Sequence, residues 1–254
     1  MNTGSMLSGG NMNSPILRDN LVYKEVTNAS NTIHQLLTHV HNKGIHWVPE
    51  SMGIDIASRK HVLTYIKGTV PHDTPDWIWS ETVLCDVARR LREWHDATVD
   101  FQFENAGWLL SNDEAKEVIC HNDFAPYNCV FQDGTFVGLI DFDVCCPGSR
   151  VWDIAYTVYR FVPLLPDYTK ESGDDISPFS IEVVKERLRK FLKVYSGQTI
   201  ELLYKEEDVI RKVSKRLMAI AEWSKAYGLQ MQKEEMVKNA NMYLFHANWV
   251  LSLL

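Results

Sequence analysis

Five polar residues fall in a fixed order over residues 119–143: His121, Asp123, Asn128, Asp141 and Asp143. They sit in Ile119-Cys-His-Asn-Asp-Phe-Ala-Pro-Tyr-Asn-Cys-Val-Phe131 and in Leu139-Ile-Asp-Phe-Asp143, flanked by strand-like apolar runs. Between Asn128 and Asp141, Asp133-Gly134 is a strong hairpin signal, because glycine accepts the positive φ of a two-residue turn. A hairpin there folds the chain back and brings Asn128 and Asp141 together at its open end. Asp123 precedes them in a loop that Pro126 keeps out of regular helix. One loop carboxylate beside an amide and a second carboxylate is a set that phosphoryl transfer requires. A base must accept the proton of an attacking hydroxyl, and hard oxygen ligands must hold Mg²⁺ on nucleotide phosphates. Taken singly, each residue has an ordinary reading: His121 as a core or turn histidine, Asp123 as a loop cap, Asn128 as a turn residue. Their joint spacing is what argues for chemistry.

The spacing matches the protein-kinase pattern H-R-D-x-x-x-x-N followed by D-F-G, with Asn122 in place of the Arg and Asp143 in place of the Gly. With those two replacements, His-Asn-Asp-x-x-x-x-Asn and Ile-Asp-Phe-Asp resemble the aminoglycoside phosphotransferase and choline kinase group. The likeness continues through Pro147-Gly-Ser-Arg-Val-Trp-Asp-Ile-Ala-Tyr156 and reaches back to Leu91-Arg-Glu-Trp-His-Asp96. It is good from about 63 to 161 and thins outside. The resemblance implies an α+β, two-lobed, protein-kinase-like fold with a small β-rich N-terminal lobe and a larger, mainly helical C-terminal lobe. It also implies transfer of the γ-phosphate of ATP or GTP to a hydroxyl of a small molecule. In that reading Asp123 is the catalytic base, Asn128 and Asp141 bind Mg²⁺, Asp143 assists the metal or its waters, and His121 supports the loop. A nucleotide-binding module without chemistry, or a metabolite kinase of the homoserine or choline type, is the competing class.

The elements that must position these groups divide at 66/67, into a nucleotide-binding lobe over 1–66 and a catalytic and substrate-binding lobe over 67–254. Strands are expected at 15–18, 21–26 and 61–66, with the first two joined by the turn chemistry of Arg18-Asp-Asn-Leu21. Another strand fits within 48–56. Ile33, Leu36, Leu37 and Val40 at helical spacing predict a helix over 32–42, closed by Lys43-Gly44. Lys24 lies where the family's phosphate-contacting strand lysine would fall; read alone it is a solvated strand lysine. The 32–42 helix carries no acidic residue to pair with it, and His34 is the polar candidate there. Gly9-Gly10 is the one glycine pair near the start, in place of a G-x-G-x-x-G loop. The stretch Thr64, Tyr65, Ile66 ends a strand before Gly68 and a Pro-rich segment, and is the expected hinge whose backbone lies against the adenine.

In the second lobe, Ser80 caps an amphipathic helix carrying Val83, Leu84, Val87, Ala88, Leu91 and Trp94. Residues 145–148, Cys-Cys-Pro-Gly, read as a turn, and 151–161 as a helix. Asp153 on that helix needs hydrogen-bond donors if buried; the resemblance gives it a structural role, propping the catalytic loop. Residues 163–178 form a long polar loop with Asp167, Glu171, Asp174 and Asp175, a solvated surface or a neutraliser of an amine-bearing substrate. Helices over 181–195, 206–228 and 234–254 finish the chain. Trp223, Tyr227 and Trp249 read first as core packing and second as pocket aromatics.

The 254 residues carry a net charge of −7, which disfavours nucleic acid as a partner and favours a cationic over an anionic substrate. The five cysteines, Cys85, Cys120, Cys129, Cys145 and Cys146, include no C-x-x-C pair and fit no common zinc spacing. They read as reduced thiols in the cytoplasm. No apolar run approaches the ~20 residues a membrane span needs, and no signal peptide is visible at the start. The expected partner is a small hydroxylated molecule, met by a monomer or a homodimer.

Overall fold

The computed structural model describes residues 5–6, 15–71, 73–102, 104–166, 169–172, 175–197 and 203–254. The chain forms two compact units, one of residues 1–75 with 90–150 and one of 76–89 with 151–254. Gly9-Gly10 lies outside the described residues.

The first unit opens with an antiparallel sheet of β1 (Ser5–Met6), β2 (Ile16–Arg18), β3 (Leu21–Glu25), β4 (Ser51–Asp55) and β5 (Lys60–Thr64), in the order β1-β2-β3-β5-β4. Asp19 and Asn20 both adopt left-handed φ, 52° and 60°. That matches the two-residue turn whose twist suits a hairpin, so the Arg18–Leu21 turn is where the composition put it. In the β3–β5 ladder Lys24 stands directly opposite His61. The helix α1 (Ser30–Asn42) buries Ile33, Leu36, Leu37 and Val40, the apolar stripe of its sequence, within the same unit. Gly44, at φ 86°, lets the chain leave the helix.

The same unit holds two short antiparallel ribbons. One pairs β6 (Val118–Cys120) with β9 (Cys146–Gly148), and the other pairs β7 (Cys129–Gln132) with β8 (Thr135–Leu139). Asp133 and Gly134 make the β7–β8 turn with φ of 49° and 74°. Gly138 is needed for close approach: a Cβ there would stand 2.7 Å from the Ile66 side chain and 3.1 Å from the Trp47 carbonyl. Paired with β6, residues 146–148 form a strand and not the turn that the composition of 145–148 predicts. The reversal comes earlier, at Asp143 and Val144. Pro147 is tolerated because a two-stranded ribbon needs ladder bonds on one side only.

In the second unit Ser80 caps α2 (Glu81–Thr98) as expected, its Oγ accepting from the Val83 N–H at 3.2 Å. Beyond Arg89 the helix belongs to the first unit. α3 (Arg150–Phe161) is followed by a small ribbon of β10 (Thr169–Ser172) and β11 (Asp175–Pro178), so the 163–178 segment is not wholly loop. Asp167 and Asp174 lie outside the described residues. α4 (Ile181–Ser196), α5 (Glu206–Gln230) and α6 (Glu234–Leu251) follow, with α5 and α6 packed along each other. Trp223 and Trp249 are 47% and 37% exposed, which corrects the core reading for both. No helix among the described residues is long and apolar enough to cross a membrane.

Candidate active site

All the polar residues of the two motifs lie in the first unit, and the loop from 121 to 128 is held from several sides. Trp94 is fully buried and donates from Nε1 to the Ile119 carbonyl at 2.7 Å, fixing β6 just before the loop. His121, also fully buried, lies within 3.1 Å of the Ile140 carbonyl through Nε2 and accepts from the Asp123 N–H through Nδ1 at 3.3 Å. A carbonyl can only accept and an amide N–H only donate, so the ring is the neutral Nε2–H tautomer. The bond to Ile140 ties the loop to the residue before Asp141. Asn122, at φ 64°, turns its side chain back to the 144–146 segment, donating to the Val144 carbonyl at 2.9 Å and the Cys146 sulfur at 3.2 Å.

Asp123 then presents its carboxylate to two donors of its own loop. The Tyr127 hydroxyl donates to Oδ1 at 2.6 Å, and the Asn128 amide donates to Oδ2 at 2.8 Å and to the Asp123 carbonyl at 2.9 Å. Burial raises the carboxyl above the usual carboxylate range, against the lowering effect of the Tyr127 and Asn128 hydrogen bonds. Since Asn128 spends its N–H₂ on Asp123, its amide oxygen is the atom left to bind a cation.

The hairpin does what its turn predicts. The Ile140 N–H donates to the Asn128 carbonyl at 2.9 Å, so Asn128 and Asp141 meet at the mouth of the β7–β8 ribbon. Asp141 adopts φ 65°, a conformation L-residues rarely hold. Lys24 reaches this mouth from β3: its Nζ donates to Asp141 Oδ1 and to Asp143 Oδ2, each at 2.8 Å. Burial opposes the charge on Lys24, but the two carboxylates outweigh it and raise its pKa. The lysine side chain is 16% exposed, so this is no solvated strand lysine. Its neighbour Glu25 faces away and pairs with Lys60.

These contacts also test whether the residues suit a divalent metal. The ammonium of Lys24 stands in for a cation: two carboxylate oxygens already converge on it, and Asn128 stands at the same hairpin mouth as Asp141. An all-oxygen set of this kind fits Mg²⁺. At the expected hinge, the N–H groups of Thr64 and Tyr65 are engaged by the Glu50 and Asn20 carbonyls, each at 2.9 Å. Asp153 is fully buried on α3, in the second unit.

Sequence reasoning missed two features. Tyr127 lay inside the motif and was passed over, although a tyrosine four residues after the key aspartate could have been flagged for its hydroxyl. The second is a buried chain beneath Lys24: His34 Nδ1 to Ser51 Oγ at 2.9 Å, and Ser51 Oγ to His61 Nε2 at 2.8 Å. His34, the polar candidate that the sequence offers on α1, bonds Ser51.

Comparison with known proteins agrees with this fold. Residues 71–175, which span Asp123, Asn128, Asp141 and Asp143, match the model of the phosphotransferase enzyme family. The resemblance to aminoglycoside phosphotransferases and choline kinases drawn from the motifs therefore stands. The trifolitoxin immunity protein of Rhizobium leguminosarum bv. trifolii is 34% identical over 173 residues, which cover 66% of this chain and 65% of that relative. The chain thus spans a little under two thirds of that relative's length. Among solved structures, an ethanolamine kinase of Plasmodium vivax matches with a TM-score of 0.68 at 15% identity, over 99% of this chain and 83% of that one. The gentamicin–APH(2")-IIa complex matches with a TM-score of 0.60 at 19% identity, over 98% and 94%. At such identities these structures establish the fold: protein-kinase-like, with a β-rich N-terminal region and a helical C-terminal part.

Proposed function

We propose that the protein is a phosphotransferase that moves the γ-phosphate of ATP or GTP to a hydroxyl of a small molecule. The observation that carries this reading is the convergence of Lys24, Asp141 and Asp143 beside the Asp123–Asn128 pair. Asp123 takes the proton of the acceptor hydroxyl at one carboxylate oxygen. Its raised pKa makes it a stronger base than an exposed aspartate. Asn128 holds that carboxylate in place and, with Asp141 and Asp143, forms the set that would hold Mg²⁺. The metal, when bound, supplies charge neutralisation on the phosphates. Lys24, already paired with both carboxylates, is placed to share its charge with the phosphate tail, and the segment from Thr64 to Ile66 to line the adenine. His121 and Asn122 fix the loop. Catalysis here is chiefly positioning and charge stabilisation.

The acceptor is a hydroxylated small molecule, and the acidic net charge favours a cationic one. The relative's role in immunity to a toxin supports a toxic compound as acceptor over a metabolite. The test is a nucleoside-diphosphate release assay with ATP and with GTP, each with Mg²⁺, over aminoglycosides, amino alcohols and sugars. Acceptor-dependent release is expected with one class. Tight nucleotide binding with no release for any class would replace the enzyme by a nucleotide-binding module.

A further inference from the structure

Tyr127 is not needed to hold a metal or a nucleotide in the reading above, yet it makes the shortest contact to the base. Its hydroxyl lies 2.6 Å from Asp123 Oδ1, at the short end for a hydroxyl donating to a carboxylate. The other oxygen, Oδ2, accepts from Asn128 at 2.8 Å. The phenol is held there by its own turn. Pro126 opens a short 3₁₀ turn over Pro126–Asn128, the Asn128 N–H donates to the Ala125 carbonyl at 2.9 Å, and the Asn128 carbonyl is pinned by the Ile140 N–H at 2.9 Å. Tyr127 is therefore fixed at both flanks, and its ring carries a hydroxyl to one oxygen of Asp123. Oδ2 is tied to the side chain expected to hold the metal. A nucleophile approaching Asp123 is then served by Oδ1, the oxygen that Tyr127 covers.

We propose that the Tyr127 hydroxyl is a guard on Asp123. It fills the nucleophile's place on Oδ1 while no acceptor is bound, and yields when an acceptor hydroxyl arrives. Its consequence is suppression of transfer to water. In that side reaction a water oxygen bonds to the γ-phosphorus, and the bond from that phosphorus to the β,γ-bridging oxygen breaks. The water proton passes to Asp123, and nucleoside diphosphate and inorganic phosphate leave. Tyr127 acts through Asp123, so it is a positioning residue and not a catalytic one. The proposal rests on the phosphotransfer reading and adds to it a reason for water to be a poor acceptor.

The test uses the full chain and needs no knowledge of the acceptor. Inorganic phosphate release from ATP and from GTP is measured with Mg²⁺ and no acceptor, for wild type, Tyr127→Phe, and Tyr127→Phe combined with Asp123→Asn. Nucleotide binding is measured alongside with a fluorescent analogue. Tyr127→Phe removes one oxygen and keeps the ring, and is expected to raise release about tenfold, the rate equivalent of one modest hydrogen bond. The rise must vanish when Asp123 is also replaced. A brace for Asp123 would behave in the opposite way, since its loss lowers all turnover; unchanged or slower release in Tyr127→Phe therefore overturns the guard. So does an added phosphate on Tyr127 in the intact mass of wild type, which would make the phenol itself an acceptor. Wild type that binds neither nucleotide removes the phosphotransfer reading and the guard together. Binding without the tenfold rise removes the guard alone.

Discussion

Acidification should unfold this protein partly through one buried histidine, His61. It is 3% exposed and stands opposite Lys24 in the β3–β5 ladder, so the two side chains share a face. Ser51 on β4 bonds its Nε2 at 2.8 Å, and His34 on α1 bonds Ser51 in turn. Burial, the Lys24 charge and His34 together lower its pKa from the ordinary 6.5 to about 4. The folded chain thus refuses a proton that the unfolded chain accepts between those two values. Where the unfolded state binds more protons, stability rises with pH. The contribution is fully present above about pH 6.5 and is lost as pH falls towards 4. At 1.36 kcal/mol per unit, the gap corresponds to about 3 kcal/mol when fully expressed, and about 2–3 kcal/mol between pH 7 and 4.5. Carboxylates titrate over the same range, so the quantity to measure is a difference between chains. Urea unfolding of wild type and of His61→Gln, which keeps a polar partner for Ser51 and cannot titrate, should be followed from pH 7.5 to 4.5. The variant should be less sensitive to acid by that amount, the two curves converging or crossing as pH falls. Parallel curves across the whole range would show that His61 takes up its proton equally in both states, and the argument from burial beside Lys24 would fail.

Three further outcomes follow from the site and its frame. Asp123→Asn keeps the shape of the loop but cannot accept a proton; turnover should drop by about 10²–10⁴-fold, with nucleotide affinity held within about twofold, in paired steady-state and binding assays. Asp141→Ala removes a proposed metal ligand and one of the two carboxylates on Lys24; the Mg²⁺-dependent part of nucleotide affinity should disappear in a titration with and without Mg²⁺. Gly138→Ala forces a Cβ against Ile66 and the Trp47 carbonyl; it should lower stability by about 1–3 kcal/mol in chemical denaturation, because the carbonyl is backbone and cannot swing aside.

What could be read from the sequence was local or carried by spacing. Asp19-Asn20 and Asp133-Gly134 announce their turns because few residues tolerate positive φ, and both turns form. Ser80 announces a cap because its hydroxyl can reach the N–H three residues on, and it does. The alternation from Asn128 to Asp141 through a hairpin gave their meeting at one mouth. Features that depended on a distant partner stayed hidden. Cys-Cys-Pro-Gly has turn composition, and only its pairing with Val118–Cys120 makes Cys146–Gly148 a strand. The His34–Ser51–His61 chain depends on a register slip between Ser51 and Gly53 in the β4–β5 ladder, which no periodicity announces. Trp223 and Trp249 were given to the core because large aromatics usually go there, but α5 and α6 leave both partly open.

The missing helix acid is explained by where Lys24 goes instead. A strand lysine buried to 16% exposure needs a counter-charge, and α1 carries no acidic residue, its His34 being bonded to Ser51. The counter-charge comes from the opposite side, and it is double: Asp141 and Asp143, both at 2.8 Å. Asp143, the residue that stands where a kinase has glycine, thus takes over the part of the absent acid. Two carboxylates face one ammonium, an excess of one negative charge when both are ionised. The same arithmetic separates the roles of the two aspartates. Losing Asp141 should remove the proposed metal ligand at the mouth of the hairpin, whereas Asp143→Gly, which restores the kinase pattern, should leave Lys24 with one partner and loosen it. If nucleotide affinity with Mg²⁺ survives Asp143→Gly but the unfolding free energy falls, Asp143 is chiefly the lysine's counter-charge. Loss of the Mg²⁺ dependence in that variant would make it a metal ligand in its own right and undo this division.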